Sequence, residues 1–201
     1  MAASGADDVL IDRIGGNEGA ALWAKRALAV ALGVATMAVL AKVKVPLWPS
    51  PVPITMQTFG VLLIGAGYGA RLGLATMAVY LAVGAIGYDV FTSSSAENAG
   101  LAYMLGGTGG YLFGYLLAVL ALGAVARRGW DRGVLAMAGG MLLASLLIYL
   151  PGVLWLRQFA ESWAQTFAWG VTPFLIGDAM KLALAALLVP TAWRLLGRAR
   201  G

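Results

Sequence analysis

The sequence contains no cysteine and no histidine. Disulfides, thiol chemistry, imidazole-ligated haem and the usual zinc sites are thereby excluded. So are the Ser–His and Cys–His pairs on which most hydrolases depend. Charge is scarce as well: 11% of the 201 residues are charged, against about 25% in an ordinary soluble domain. Only nine residues are carboxylates, and most lie outside the apolar segments. An enzyme is not expected, nor is a cofactor or a metal site.

What the chain has instead is apolar side chain, 61% of all residues. A soluble fold of this size needs polar cover and could not hide so much. The excess has to face lipid. The net charge of +5 does not point to nucleic acid, because the basic residues are scattered singly or in pairs, with no patch interleaved with exposed aromatics.

Charge-free runs mark the spans, at 27–41, 45–70, 72–88, 98–126, 133–156 and, interrupted by Asp178 and Lys181, 162–193. Given the roughly 20 residues needed to cross the hydrocarbon core, helices are predicted at about 21–41, 55–70, 72–88, 103–126, 134–156 and 173–194. The block from Gly65 to Arg71 suits a tight turn between the short second and third helices. Residues 1–20 lack a basic stretch followed by an apolar one and read as a short N-terminal tail rather than a signal peptide. Residues 21–201 are expected to form a six-helix transmembrane substrate-binding domain. The fold class expected is therefore an all-α integral membrane protein of the bacterial inner (plasma) membrane, with six transmembrane helices in one bundle.

Basic residues orient the bundle. With the N-terminus inside, Arg13, Lys25, Arg26, Arg71, Arg127, Arg128, Arg132, Arg194, Arg198 and Arg200 are cytoplasmic, ten in all, against Lys42, Lys44 and Arg157 outside. This asymmetry favours both termini cytoplasmic. The longer connections, 42–54, 88–102 and 157–172, then face outward, where function is expected.

Asp178 and Lys181 are the only charges well inside an apolar helix. With Thr172 as cap and Pro173 at the first position, they sit about 8 and 12 Å in from the outer end, on one face. A self-neutralising ion pair and a polar site facing a cavity both fit. The cost of intramembrane charge, about 2.5–3.5 kcal/mol per residue, favours the second. Thr55 and Gln57, after the prolines at 51 and 53, read as helix-entry residues or as cavity lining. The segment Gly106–Tyr111 is neither a dinucleotide nor a P-loop fingerprint; close helix packing and close approach to a ligand fit it equally. Ala27, Ala31, Ala35 and Ala38 form a stripe that allows close helix contact, within the bundle or with another membrane subunit. Trp23, Trp48, Tyr88, Phe91, Tyr103, Trp155, Trp163, Trp169 and Trp193 read mainly as interface-belt aromatics.

Six stretches in order, PVPITMQ at 51–57, GARLG at 69–73, YLAVGAIG at 80–87, GGTGGYLFG at 106–114, PGVLWL at 151–156 and PFLIGDAMK at 173–181, resemble the BioY family, the biotin-binding S components of energy-coupling factor (ECF) transporters. The resemblance implies a six-helix subunit that captures biotin from outside and works with a transmembrane T component and a pair of ATP-binding cassette ATPases. No Walker A motif is present, so ATP use would belong to those partners. By the same resemblance Asp178 and Lys181 match the polar pair that binds biotin, and Gly107, Thr108 and Tyr111 lie in the ligand-side turn. Asn98 matches an outer-loop Asn, and Ala27, Ala31 and Ala35 match the motif that contacts the T component. Gly107 departs from the family, which has Pro there. Gln57 joins the expected site as an outer cavity residue. The residues themselves leave open another vitamin, such as riboflavin or thiamine, a structural membrane subunit without a ligand, and a homo-oligomer. Only the motif match selects biotin.

Overall fold

The computed structural model describes residues 8–15, 18–94 and 98–198. Among the described residues, five helices are long and apolar enough to cross a membrane: α1 (Gly19–Lys42), α2 (Gln57–Ala85), α4 (Gly109–Ala126), α5 (Val134–Leu156) and α7 (Leu175–Arg198). Two short helices, α3 (Gly100–Met104) and α6 (Trp163–Gly170), lie in the connections at one end. A small antiparallel ladder pairs β1 (Lys44–Val45) with β2 (Ile54–Thr55), Lys44 opposite Thr55. It draws together the ends of the connection between α1 and α2.

The second and third predicted helices are the two arms of α2, 57–68 and 70–85. Gly69 between them has φ 74° and ψ 175°, a backbone that side chains with a Cβ rarely adopt. The chain folds back there. Gln57 Nε2 donates to the Tyr80 hydroxyl at 2.6 Å, where a continuous helix would hold the two about 35 Å apart. The turn is tight because α4 presses on it: a Cβ at Gly123 would strike the Ala70 backbone.

Other boundaries differ from the sequence expectation for local reasons. The predicted helix 103–126 is split into α3 and α4 by a turn at 105–108, and a Cβ at Gly109 would collide with the Met104 carbonyl. The last helix starts at Leu175. Thr172 does not cap it; its hydroxyl donates to the Phe167 carbonyl at 3.2 Å and closes α6 instead. Asp178 therefore sits in the first turn of α7, about 4.5 Å from its start and not 8 Å.

α4 packs between α2 and α5, and a larger share of its residues is buried than in any other long helix. α1 buries Ala29, Gly33, Met37 and Ala41, one stripe four residues apart, against α2. Its opposite face, including Trp23, Leu28, Leu32 and Val39, is exposed. Leu135, Ile176 and Met180 are likewise more than two-thirds exposed. Apolar side chains turned outward on every long helix need lipid around them, and the chain is a multi-pass membrane protein.

The end of the bundle that holds Gly69 is tied by a charged and aromatic cluster. Trp193 Nε1 donates to Asp131 Oδ2 at 2.5 Å. The guanidinium groups of Arg13 and Arg132 lie 5.6 and 5.2 Å from the indole centroid. Asp131 is fully buried, and its Oδ1 has no hydrogen-bond partner among the described residues. Burial pushes its carboxyl above the usual range, against the pull of the Trp193 bond and the Arg132 charge.

Candidate ligand-binding site

At the opposite end a cavity encloses about 560 Å³ of non-atom space, its mouth included. It is walled by the start of α2, the α4 entry, the middle of α5 and the first turns of α7. Its surface is mostly apolar and aromatic, with Tyr103, Tyr111, Tyr115, Tyr149 and Phe174 among the lining residues. A few polar groups converge at one side, the composition typical of small-molecule sites.

Those polar groups centre on Asp178 and Lys181. Lys181 Nζ lies 2.8 Å from Asp178 Oδ1, one turn away on the same helix face. It also donates to the Thr55 carbonyl at 2.6 Å and to Thr58 Oγ1 at 3.2 Å. All three ammonium protons thus have oxygen partners, and the residue is only 8% exposed. Asp178 Oδ1 additionally accepts from Thr58 Oγ1 at 3.1 Å, and Oδ2 accepts from the Tyr149 hydroxyl at 2.6 Å. The Thr55 carbonyl is available because α2 starts at Gln57, leaving the backbone just before it outside the helix ladder. The pair is satisfied on both sides, as a buried charge pair must be.

Gln57 also lines the cavity, but its amide is engaged elsewhere. Besides the bond to Tyr80, its Oε1 accepts from Thr92 Oγ1 at 2.7 Å, and the Tyr80 hydroxyl donates to the Val90 carbonyl at 2.9 Å. This buried chain binds the helix start to the connection 86–94. Lys42 and Lys44 hold the same connection from α1 and β1. Lys42 Nζ donates to Asp89 Oδ1 at 2.6 Å and to the Phe91 carbonyl at 2.8 Å, and Lys44 Nζ donates to the Thr92 carbonyl at 2.7 Å. The bonds from Lys42 and then Ser94 hold the Asp89 carboxyl below the usual range. Phe91 is fully buried, stacked 5.0 Å from Tyr103 and edge-on to Tyr80. Neither Phe91 nor Tyr103 is therefore a belt residue.

Of the residues singled out in the sequence, the structure brings Thr55, Gln57, Tyr103, Thr108, Tyr111, Asp178 and Lys181 to one cavity. Tyr111 is wedged in place: its hydroxyl donates to the Gly170 carbonyl at 2.8 Å, and its ring fills the space above Gly152. Gly107 is not a lining residue; a Cβ there would meet Pro51 at 3.2 Å. Asn98 is exposed and lies outside the lining set. Ala27, Ala31 and Ala35 are exposed on α1, turned away from the stripe that packs inside the bundle. Thr58, Thr92, Tyr115 and Tyr149 were missed. Tyr115 and Tyr149 carry a signal that could have found them, a phenol in the middle of an apolar run rather than at its end. Thr58 carries none.

Comparisons with known proteins agree with this architecture. The family model described as the BioY family matches residues 15–198. The probable biotin transporter BioY of Pyrococcus horikoshii is 36% identical over 165 residues, covering 82% of this chain and 94% of that protein. The biotin transporter BioY of Thermotoga maritima is 34% identical over 155 residues, covering 77% and 87%. A crystal structure of the S component for biotin from an ECF-type ABC transporter superposes with a TM-score of 0.77, covering 86% of this chain and 93% of that one at 23% identity. A bundle with this fold, matched by the family model over nearly its whole length, belongs to the BioY family.

Proposed function

We propose that this protein captures biotin in the cavity headed by Asp178 and Lys181, as the substrate-binding S component of an ECF transporter. The carrying observation is the buried, fully partnered Asp178–Lys181 pair at the side of an aromatic-walled cavity, in a chain whose relatives are described as biotin transporters. Biotin has an apolar bicycle suited to the tyrosine and Phe174 walls, a ureido group with two N–H donors and one acceptor, and a carboxylate tail.

Proton counting divides the work. Asp178 Oδ2 accepts from Tyr149 alone, so it retains an acceptor direction for a ligand N–H. Lys181 has no spare proton, so a ligand oxygen must replace one of its present partners. The Thr58 hydroxyl, the longest contact at 3.2 Å, is the one to yield. Thr108, Tyr111 and Gln57 shape the remaining wall, while Gly107 sets the turn behind it. Asn98 does not line the cavity, so its place in the site rests on the family resemblance alone.

We also infer six membrane crossings, the two arms of α2 each counting as one, with both termini cytoplasmic and the cavity opening outward. The ten-to-three distribution of basic residues supports this orientation, as does the gathering of the basic connections at the Gly69 end. The exposed stripe of Ala27, Ala31 and Ala35 is the surface assigned to a transmembrane T component, which would couple the chain to its ATPases.

Equilibrium binding of radiolabelled biotin to the detergent-purified protein, with riboflavin and thiamine as competitors, tests the reading. Saturable binding that neither competitor displaces, and that falls at least about a hundredfold in Asp178→Asn and Lys181→Ala, is expected, because each change leaves a buried polar group unpaired. Absent binding, or undiminished affinity in both variants, would discard biotin or this site. Orientation is open to a separate test on a background free of native thiols: Ser94→Cys should react with an impermeant maleimide from outside, and Gly129→Cys should not.

A further inference from the structure

A second concavity lies on the flank of the bundle, between α1 and the 70–85 arm of α2, and encloses about 2430 Å³ of non-atom space open to the surroundings. Its two ends differ in chemistry. Near the Gly69 end it is rimmed by Lys25, Arg26, Arg71, Arg127 and Arg128. Away from that end the walls are Ala27, Val30 and Ala31 on one side and Ala75 and Val79 on the other. Among the described lining residues, five cations face a single carboxylate, Asp12, which lies 3.5 Å from Arg127. Arg71 and Arg128 are exposed, and their side chains make no hydrogen bond or ion pair with described residues.

We propose that this groove seats an anionic phospholipid, with its phosphate on Arg71 and Arg128 and an acyl chain along the alanine-lined walls. Three observations converge on that occupant. The excess of cations selects a negatively charged headgroup, and guanidinium groups offer paired donors to phosphate oxygens. Basic pockets between membrane helices at the surface level hold lipid headgroups in this manner. The apolar part runs from Arg71 to Val79, about 12 Å of helix, comparable with the ~15 Å depth of one hydrocarbon leaflet. The small side chains of Ala27, Ala31 and Ala75 leave space along these walls that larger residues would fill. Since Ala27 and Ala31 also belong to the stripe proposed for T-component docking, lipid and partner would exclude one another. That competition rests on the functional reading above; the lipid seat does not.

The test uses the full-length protein in mixed micelles containing equal phosphatidylglycerol and phosphatidylcholine, with bound lipid counted by native mass spectrometry and biotin binding measured in parallel. Phosphatidylglycerol should be retained about tenfold over phosphatidylcholine. The double variant Arg71→Gln/Arg128→Gln should abolish that preference, and Arg71→Lys/Arg128→Lys should keep most of it. Biotin binding should be unchanged in both, which also shows that they are folded. Equal retention of the two lipids by the unaltered protein, or an undiminished preference in the Gln variant, overturns the proposal. So does a lipid-free dimer, which would assign the groove to a second copy of the chain. Loss of biotin binding by the unaltered protein would instead strike the cavity assignment and leave the lipid result standing.

Discussion

Tyr149 reaches from α5 to α7 and donates its hydroxyl to Asp178 Oδ2 at 2.6 Å, while Lys181 and Thr58 hold the other oxygen. The carboxylate is thereby fixed from three directions before any ligand arrives. Such pre-positioning lowers the ordering cost of binding.

Tyr149→Phe keeps the ring and removes that single donor. One net hydrogen bond to a charged group is worth about 1.5–3 kcal/mol, so biotin affinity should fall by up to roughly 12- to 160-fold, with a smaller loss of thermal stability. Titration of the purified variant with labelled biotin measures it. Unaltered affinity would remove Tyr149 from the site.

Lys181→Met retains the stem but strands Asp178 as a buried, unbalanced charge, a situation that costs about 3–5 kcal/mol. The melting temperature in detergent should drop sharply. Adding Asp178→Asn should restore part of the loss, because the double variant buries no charge. A double variant that melts lower than the sum of the two single changes would contradict the pairing.

Gly84 receives the Phe91 ring so closely that a Cβ would overlap it. Gly84→Ala should therefore expel Phe91 and release the connection 86–94 from Tyr80 and Tyr103. Faster biotin dissociation and earlier proteolysis within 86–94 are the expected outcomes. A variant indistinguishable in both would mean that Phe91 does not hold this connection.

The buried Asp131 carboxyl has a folded-state pKa above its unfolded value. Its protonated form is thus favoured in the folded protein, and the stability it contributes is present below the unfolded pKa of about 3.9. That contribution is lost as pH rises through the raised value. Asp131→Asn keeps an acceptor for Trp193 and cannot ionise. Melting curves from pH 3.5 upward should show the unaltered protein losing stability relative to this variant as pH increases. Parallel curves would refute it.

Much of this was readable beforehand, for reasons that differ residue by residue. Asp178 and Lys181 stood out because charge inside an apolar run is costly, and the chain reversal was visible as a cluster of glycines before Arg71. α6 was hidden because 157–172 reads as a connection, although Trp163–Gly170 is as apolar as the span that follows it. The break before α4 was obscured by a glycine segment that fits packing and turning equally well. Thr58 and Tyr149 belong to the site only through contacts 120 and 29 residues away in the chain, which no local pattern encodes.

The reversal at Gly69 leaves arms spanning only 57–68 and 70–85, about 18 and 24 Å. α1 and α5, with 24 and 23 residues, run to about 35 Å. The hydrophobic height of the molecule is therefore uneven around its perimeter. A bilayer of about 30 Å must thin beside the short arms, at fractions of a kcal/mol per ångström of mismatch. The 70–85 arm forms one wall of the basic-rimmed groove, so the bilayer is thinned where that groove opens. Any neighbouring helix that covers this flank relieves the deformation, and elastic recovery of the membrane becomes a driving force for assembly in its own right.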